Sequence, residues 1–189
     1  MIPTIKSAEH LEEQELNKLL KYLNSTKNWE YYIIVRLGVS TALRFSDLSR
    51  LRWEDVLNKD NILVKEVKTG KIREIPIHSE LQLKLNFIYN QLEKPKPTNT
   101  IIGLTIRGVN KQIKILAYRA GIRGKRISTH TWRKTFGREV WRRNNHSDEA
   151  LIKLSVLFNH SSTAITRTYF DITKEEVGSL YQLQDFFIY

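Results

Sequence analysis

The chain has 189 residues, and 31 Lys and Arg against 20 Asp and Glu give it a net charge of +11. This excess indicates a polyanionic partner, most often nucleic acid. The absence of cysteine excludes disulfides, thiol catalysis and cysteine-ligated zinc, and it fits a cytoplasmic protein. The sequence has no run of about 18 apolar residues, so no membrane span is expected. The N-terminal residues lack the apolar region of a signal peptide.

The first third of the chain has helical periodicity. Leucines at helical spacing predict an amphipathic helix over residues 8–24, and an apolar run predicts a buried helix over residues 29–42. A short helix is expected over residues 46–51, with Ser46 as its N-cap.

The periodicity then changes to that of a β-hairpin. Residues 62–68 and 71–77 are β-rich runs, and Thr69-Gly70 between them is a hairpin signal. Pro76 indicates an edge strand, and residues 101–102 suit a further short strand.

The remainder returns to helical periodicity. Gly121 and Asn144-Asn145 mark helix ends, and Ser147 marks a helix start. Residues 157–170, LFNHSSTAITRTYF, suit a turn followed by a short helix. The predicted helices cover residues 79–92, 107–120, 129–143, 147–158 and 174–186, with a loop over 93–100. The expected fold class is therefore mainly α with a small antiparallel β-sheet (α+β).

Several polar residues could together serve attack on phosphorus by a tyrosine. Such a reaction without a metal needs fixed cations for the non-bridging oxygens and a proton donor for the departing oxygen. Arg44 lies between apolar neighbours, so we expect it to be partly buried beside an anion, for which Asp47 is a candidate. Lys68 is expected at the hairpin tip.

Two histidines extend this set. His130 and Arg133 are three residues apart on one predicted helix and share a face. His160 precedes Tyr169 by nine positions. Each of these residues also suits an ordinary packing or surface position when it is considered alone. The remaining histidines are interpreted as surface residues, and no spacing resembles a metal site; these histidines are His10, His78 and His146.

A basic block between residues 121 and 143 predicts a surface that docks on DNA, although a solvated helix would have a similar composition. The candidate DNA-binding residues in it are Arg123, Lys125, Arg126, Lys134 and Arg138.

Taken in chain order, these residues resemble the tyrosine recombinases of the lambda-integrase and Xer type. The resemblance covers nearly the whole chain. The motifs are TALRFSDL with Arg44, KTGKIREIPI with Lys68, HTWRKTF with His130 and Arg133, LFNHSS with His160, and TRTYF with Tyr169.

The resemblance implies a role for each matching residue. Tyr169 is similar to the nucleophile that forms a 3′-phosphotyrosyl link, and Arg44 and Arg133 are similar to the pair that clamps the scissile phosphate. Lys68 resembles the lysine that protonates the leaving 5′ oxygen. His130 resembles the histidine that assists proton transfer at the tyrosine.

Two supporting roles and a set of partners are also implied. His160 is similar to the residue that hydrogen-bonds the phosphate, and Asp47 to the acid that supports the first arginine motif. No metal or nucleotide cofactor is implied. The implied partner is double-stranded DNA, on which the protein is a homotetramer, with a monomer in the absence of DNA. The implied location is the nucleoid of a prokaryotic cytoplasm.

The chain departs from the family pattern in two places. Phe158-Asn159 replaces the usual Leu-Gly before the second histidine, but Asn tolerates a positive φ, so we expect the turn to be retained. The chain also begins where the catalytic domain would begin. We therefore expect residues 1–189 to be one catalytic domain without the family's N-terminal DNA-binding domain, either as a fragment or as a minimal recombinase.

Two other functions fit the same residues. A type IB topoisomerase shares the phosphotyrosine chemistry and relaxes supercoils as a monomer. A non-catalytic DNA-binding module would keep the basic surface without the reaction.

Overall fold

The structure is a computed structural model that describes residues 7–172. Its α-helices are α1 (Glu13–Ser25), α2 (Trp29–Thr41), α3 (Phe45–Leu48), α4 (Ser79–Gln91), α5 (Ile106–Arg119), α6 (Thr129–Arg143), α7 (Asp148–Phe158) and α8 (Thr163–Tyr169). A 3₁₀ turn covers Trp53–Asp55, and strands β1 (Asn61–Lys65) and β2 (Ile72–Pro76) pair antiparallel. The predicted fold class is confirmed. The helix expected over residues 174–186 lies outside the described residues.

The chain forms two compact units, Met1–Phe136 and Gly137–Tyr189, called here the first and the second unit. Helix α6 begins in the first and ends in the second. Across residues 7–172, no helix has the length and apolar character that crossing a membrane requires.

The core of the first unit is built from one apolar face of each of its longer helices. Buried side chains come from each of them: Leu23 of α1, Ile34 of α2, Ile88 of α4, Ile113 of α5 and Trp132 of α6. Helix α2 is buried along most of its length, as its apolar sequence predicted.

Helices α2 and α6 approach each other closely at a glycine. A Cβ atom on Gly38 would lie 2.7 Å from Cδ1 of Trp132, closer than side chains pack. The absence of a side chain at Gly38 therefore lets the Trp132 indole rest on the backbone of α2. This contact fixes the segment of α6 that also carries Arg133.

Two predictions about the early helices were wrong in their bounds. Helix α1 begins at Glu13 rather than residue 8, because Leu11 donates its backbone N–H to Thr135 Oγ1 (2.9 Å) in an extended segment. Ser46 is not an N-cap, because α3 already begins at Phe45 and Arg44 occupies the cap position.

The hairpin is shorter than predicted. Strand β1 ends at Lys65 and β2 begins at Ile72, so residues 66–71 form the connection. Gly70 has a φ of +68° in this turn, as the Thr69-Gly70 signal predicted. Residues 101–102 form no strand; the neighbouring Thr100 makes an isolated bridge with Arg52 instead.

The second unit contains α7 and α8. Ser147 caps α7 as predicted, accepting a hydrogen bond from the backbone of Ala150 (3.2 Å). Helix α7 ends at Phe158, and its C-cap Asn159 has a φ of 55° in the left-handed region. Asn159 therefore adopts the positive φ that was expected of it. Phe170 is fully buried, and a Cβ on Gly137 would lie 2.1 Å from its ring.

Candidate active site

Arg44 lies directly after the left-handed turn that ends α2, where Ala42 has a φ of 53°. Its Nη1 lies 3.2 Å from Oε2 of Glu66, and only 18% of the Arg44 side chain is exposed. The expectation of a partly buried arginine beside an anion is confirmed. The candidate partner was wrong: the carboxylate comes from the hairpin connection and not from Asp47.

Three hydrogen-bond donors contact the carboxylate of Glu66, although only 4% of its side chain is exposed. Arg73 approaches Oε1 from 3.1 Å, and the Thr69 hydroxyl donates to Oε2 at 2.8 Å. Burial alone would raise the pKa of Glu66. The hydrogen bonds from Thr69 and Arg73 and the charge of Arg44 outweigh it, so the pKa is lowered and the carboxylate is ionised at neutral pH.

Asp47 is buried and contacts the hairpin connection. Its Oδ1 accepts a hydrogen bond from the backbone N–H of Val67 at 2.8 Å. Val67 immediately precedes Lys68, whose side chain is exposed at the hairpin tip as predicted. Asp47 therefore holds the loop that carries the lysine.

Arg133 is 3% exposed and donates a hydrogen bond from Nη1 to the backbone carbonyl of Ala42. Arg73 donates from Nη2 to the adjacent carbonyl of Thr41 at 3.0 Å. These carbonyls belong to the C-terminal turn of α2, which lacks intrahelical donors and carries partial negative charge. Arg133 and Arg73 therefore bond to the same backbone turn, and Arg44 follows this turn two residues after Ala42.

His130 lies one turn before Arg133 on α6, and its pKa is lowered from 6.5. His130 is exposed at the surface, but partial desolvation of its imidazole is the largest cause of the lowered pKa. Nearby positive charges add to it; these come from Arg133, Arg44, Lys134 and Lys68. The four cations and His130 therefore belong to one electrostatic neighbourhood of the first unit. A neutral imidazole at pH 7 can accept a proton.

In the second unit, the rings of His160 and Tyr169 meet edge to face with centroids 5.1 Å apart. Nδ1 of His160 lies 3.0 Å from Oγ1 of Thr166, which itself donates to the carbonyl of Ser162 at 3.2 Å. This contact can form with the proton on either partner, and it links the His160 ring to α8. Thr166 thereby sets the orientation of the His160 ring.

Tyr169 is half-buried in an aromatic cluster of the second unit. Its ring centroid lies 5.7 Å from that of Phe158 and 5.2 Å from that of Phe170, and both phenylalanines are buried. These contacts hold the Tyr169 ring at the end of α8.

Among the candidate DNA-binding residues, Lys125, Arg126 and Lys134 bond to groups within the protein. Lys125 Nζ lies 2.6 Å from Glu15 Oε2, and Arg126 pairs with Glu9 at 3.2 Å. Lys134 is 2% exposed, and its Nζ donates to Ser7 Oγ at 3.1 Å. A lysine buried to that degree is not at the surface to meet a phosphate, so the structure disagrees with that assignment.

The other two stack on aromatic rings. The Arg123 guanidinium lies 3.5 Å from the centroid of Tyr118 on an exposed part of the first unit, and Arg138 lies 5.5 Å from the centroid of Trp141 in the second. Of the five, Arg123 is the one whose exposure best suits a phosphate contact.

The histidines interpreted as surface residues are exposed at His78 and His146. His10 is only 17% exposed, with Nε2 bonded to Glu12 at 2.7 Å, so that interpretation was wrong for His10. Within residues 7–172, no cluster of three or more His, Asp or Glu could hold a metal ion.

The sequence interpretation missed Glu66, Arg73 and Thr166. Arg73 had a detectable signal, because it shares the inward face of β2 with the buried Ile75, where an unpaired cation is unfavourable. The Glu66 and Thr166 contacts depend on the fold of the hairpin and of α8, which residue spacing alone does not give.

Comparison with known proteins places these residues in a family. Residues 9–176 match the model of the phage integrase family. The chain is 30% identical to the probable integrase/recombinase YoeC of Bacillus subtilis (strain 168), and the match covers 97% of both chains. The chain spans between 46% and 56% of the length of other curated relatives.

Solved structures agree with this placement. The structure of XerA recombinase superposes with a TM-score of 0.71 at 23% identity, covering 96% of this chain and 66% of XerA. A lambda integrase tetramer bound to a Holliday junction gives a TM-score of 0.64 at 18% identity, covering 89% of this chain and 50% of that one. The chain therefore belongs to the phage integrase family, as a site-specific tyrosine recombinase with the fold of that family's catalytic domain.

Proposed function

We propose that the chain cuts and rejoins double-stranded DNA through a covalent link to Tyr169. The observation that carries the proposal is the convergence of Arg44 and Arg133 at the turn that ends α2, with His130 one turn before Arg133 on α6. Family membership supports the choice of Tyr169 as the nucleophile, because residues 9–176 of the match include it.

In the proposed reaction, the Tyr169 hydroxyl oxygen bonds to the scissile phosphorus while the bond from phosphorus to the 5′ oxygen breaks. The phenol proton passes to His130, and Lys68 gives a proton to the departing 5′ oxygen. Arg44 and Arg133 neutralise the charge on the non-bridging oxygens.

His160 contributes a hydrogen bond to the phosphate in this proposal. Rejoining is the reverse reaction, in which a 5′ hydroxyl attacks the phosphotyrosine. The energy of the broken bond stays in that link, so strand exchange needs no ATP.

The proposed partners are double-stranded DNA on the nucleoid and, on DNA, three further copies of the chain. The lambda integrase relative, which is a tetramer on a Holliday junction, supports this arrangement. In the absence of DNA we expect a monomer.

The test is capture of the covalent intermediate. Wild-type protein is incubated with a pool of nicked duplexes of randomised sequence, and protein–DNA adducts are separated on denaturing gels. We expect an adduct with the wild type and none with Tyr169→Phe, which keeps the ring packing but lacks the attacking hydroxyl. Tyr181→Phe and Tyr189→Phe are the matched controls and retain the adduct.

The other outcomes distinguish the alternatives. An adduct that persists in Tyr169→Phe assigns the nucleophile to another residue. Relaxation of supercoiled plasmid without strand exchange supports a topoisomerase, and DNA binding without any adduct supports a non-catalytic module.

A further inference from the structure

Glu66 is a buried carboxylate to which the proposed reaction gives no task. It lies in the hairpin connection of the first unit, two residues before Lys68, and is 4% exposed. Burying a carboxylate is unfavourable unless cations and hydrogen bonds compensate it. The compensation here comes from groups that matter to the site.

The side chain of Glu66 is held from two directions. Arg44 and the hydroxyl of Thr69 reach Oε2 at 3.2 and 2.8 Å, and Arg73 reaches Oε1 at 3.1 Å. Arg73 is itself anchored to the carbonyl of Thr41. The carboxylate therefore has a fixed position from which it orients Arg44.

The contact with Glu66 occupies only part of the Arg44 guanidinium. Nη1 is the Arg44 nitrogen that pairs with Glu66, and a guanidinium has five N–H donors in a planar fork. The remaining donors stay available for phosphate oxygens. An arginine that is already oriented loses less rotamer freedom when it binds.

The backbone of Glu66 closes the turn that carries Lys68. Its N–H donates to the carbonyl of Lys71 at 2.9 Å, and its carbonyl accepts from the N–H of Gly70 at 2.9 Å. The bond from Thr69 to the Glu66 side chain adds a third closure beside the lysine. The loop conformation around Lys68 thus depends on the same residue that orients Arg44.

We propose that Glu66 is a positioning residue that couples the phosphate-binding Arg44 to the loop carrying Lys68, the proton donor to the leaving group. The proposal rests on the proposed strand-cleavage function. It assigns Glu66 two separable effects, one on charge stabilisation through Arg44 and one on leaving-group protonation through Lys68.

The test uses Glu66→Gln in the full chain, with Glu74→Gln as matched control. Glu74 lies in the same hairpin and is exposed, so its substitution makes the same chemical change without a buried partner. Single-turnover cleavage is measured on the nicked duplex selected by wild-type protein. We expect Glu66→Gln to slow cleavage by about a hundredfold, the scale for a misplaced reacting group, and Glu74→Gln to cleave as the wild type does.

A substrate with sulfur in place of the bridging 5′ oxygen separates the two effects, because the thiolate departs without a proton. Sulfur is expected to restore Lys68→Ala and to leave Arg44→Ala slow. Glu66→Gln is expected to recover in part, between these two variants. Thr69→Val, which removes the two hydrogen bonds of the Thr69 hydroxyl within the loop, is expected to recover fully.

Cleavage by Glu66→Gln equal to that of Glu74→Gln would overturn the proposal, as would equal impairment on oxygen and sulfur substrates. Circular dichroism checks that each variant folds. If Glu66→Gln does not fold, the rates of Thr69→Val on the oxygen and sulfur substrates are compared instead. A ratio of these two rates equal to that of the wild type would overturn the coupling. Wild-type protein that forms no adduct on either substrate contradicts the proposed function itself, which is a different result.

Discussion

In the first unit, neighbouring cations change the pKa of His130. Partial desolvation and the neighbouring positive charges disfavour the imidazolium form of His130, so its pKa is lowered from 6.5. Protonation therefore requires a lower pH than for an unperturbed histidine, and the neutral form is the reactive one in the proposed mechanism. Removing one of the cations should favour the charged form and raise the pKa.

This effect can be measured by NMR titration of the His130 ring in the protein without DNA. We expect a midpoint below 6.5 in the wild type and a higher midpoint in Arg44→Ala, since Arg44 is one of the charges that lower the pKa. Arg36→Ala is the control, because Arg36 pairs with Glu80 and Tyr32 instead. An unchanged midpoint in Arg44→Ala would show that Arg44 and His130 are not electrostatically coupled.

Residue chemistry was largely predictable where one motif contained both partners. The motif HTWRKTF placed His130 and Arg133 on one helical face, and α6 contains them both. The partner of Arg44 was not predictable in this way. Asp47 is the nearer acid in sequence, but the folded hairpin brings Glu66 to the guanidinium from 22 positions away.

At the level of elements, helix α6 in the second unit depends on a glycine. Gly137 presents bare backbone to the ring of Phe170, the residue that follows Tyr169. Alanine would favour the helix by about 1 kcal/mol over glycine. Its Cβ would, however, lie 2.1 Å from the Phe170 ring, which neither group can accommodate without moving.

We therefore expect Gly137→Ala to destabilise the protein by about 1–3 kcal/mol, the usual range for overpacking, and to reduce adduct formation because Phe170 packs against Tyr169. Gly103→Ala is the matched control, since a Cβ at Gly103 meets no atom within 4 Å. Thermal denaturation and adduct yield measure the two effects. Equal stability of the two variants would mean that Phe170 does not pack on α6 in this way.

The hydrophobic periodicity of the sequence predicted where the helices lie, but it did not predict where helices and strands begin and end. Leu11 fits the leucine repeat of α1, yet it is buried from an extended segment that bonds to Thr135. Thr100 bridges Arg52, from which the hairpin and α4 separate it in the chain, and this pairing replaced the strand expected at residues 101–102. In both cases a contact distant in sequence outweighed the local pattern.

At the scale of the whole molecule, the net charge of +11 overstates the cations available to DNA. Lys125, Arg126 and Lys134 have internal partners, so composition alone did not identify the docking residues. Arg123 is exposed and stacked on Tyr118, which holds its guanidinium in place at the surface.

Binding to a duplex of arbitrary sequence, followed by fluorescence anisotropy over a range of salt concentrations, tests this assignment. Because each neutralised phosphate releases counterions, Arg123→Ala should reduce the slope of log K against log salt by about 1. Lys153→Ala removes the same charge from an exposed pair with Glu149 and should leave the slope unchanged. Equal slopes for Arg123→Ala and wild type would place the DNA contact elsewhere.

The arginine contacts at the end of α2 bear on how this sequence can diverge. Arg73 and Arg133 bond to the carbonyls of Thr41 and Ala42, and every amino acid supplies a carbonyl. Substitutions at Thr41 and Ala42 therefore leave the two carbonyl acceptors in place. Selection at these positions acts on the backbone conformation instead. At Ala42, with its φ of 53°, relatives are expected to accept glycine or asparagine and to exclude valine and isoleucine. The acceptor oxygens of Glu66 belong to its side chain, so a single substitution at this position can remove them.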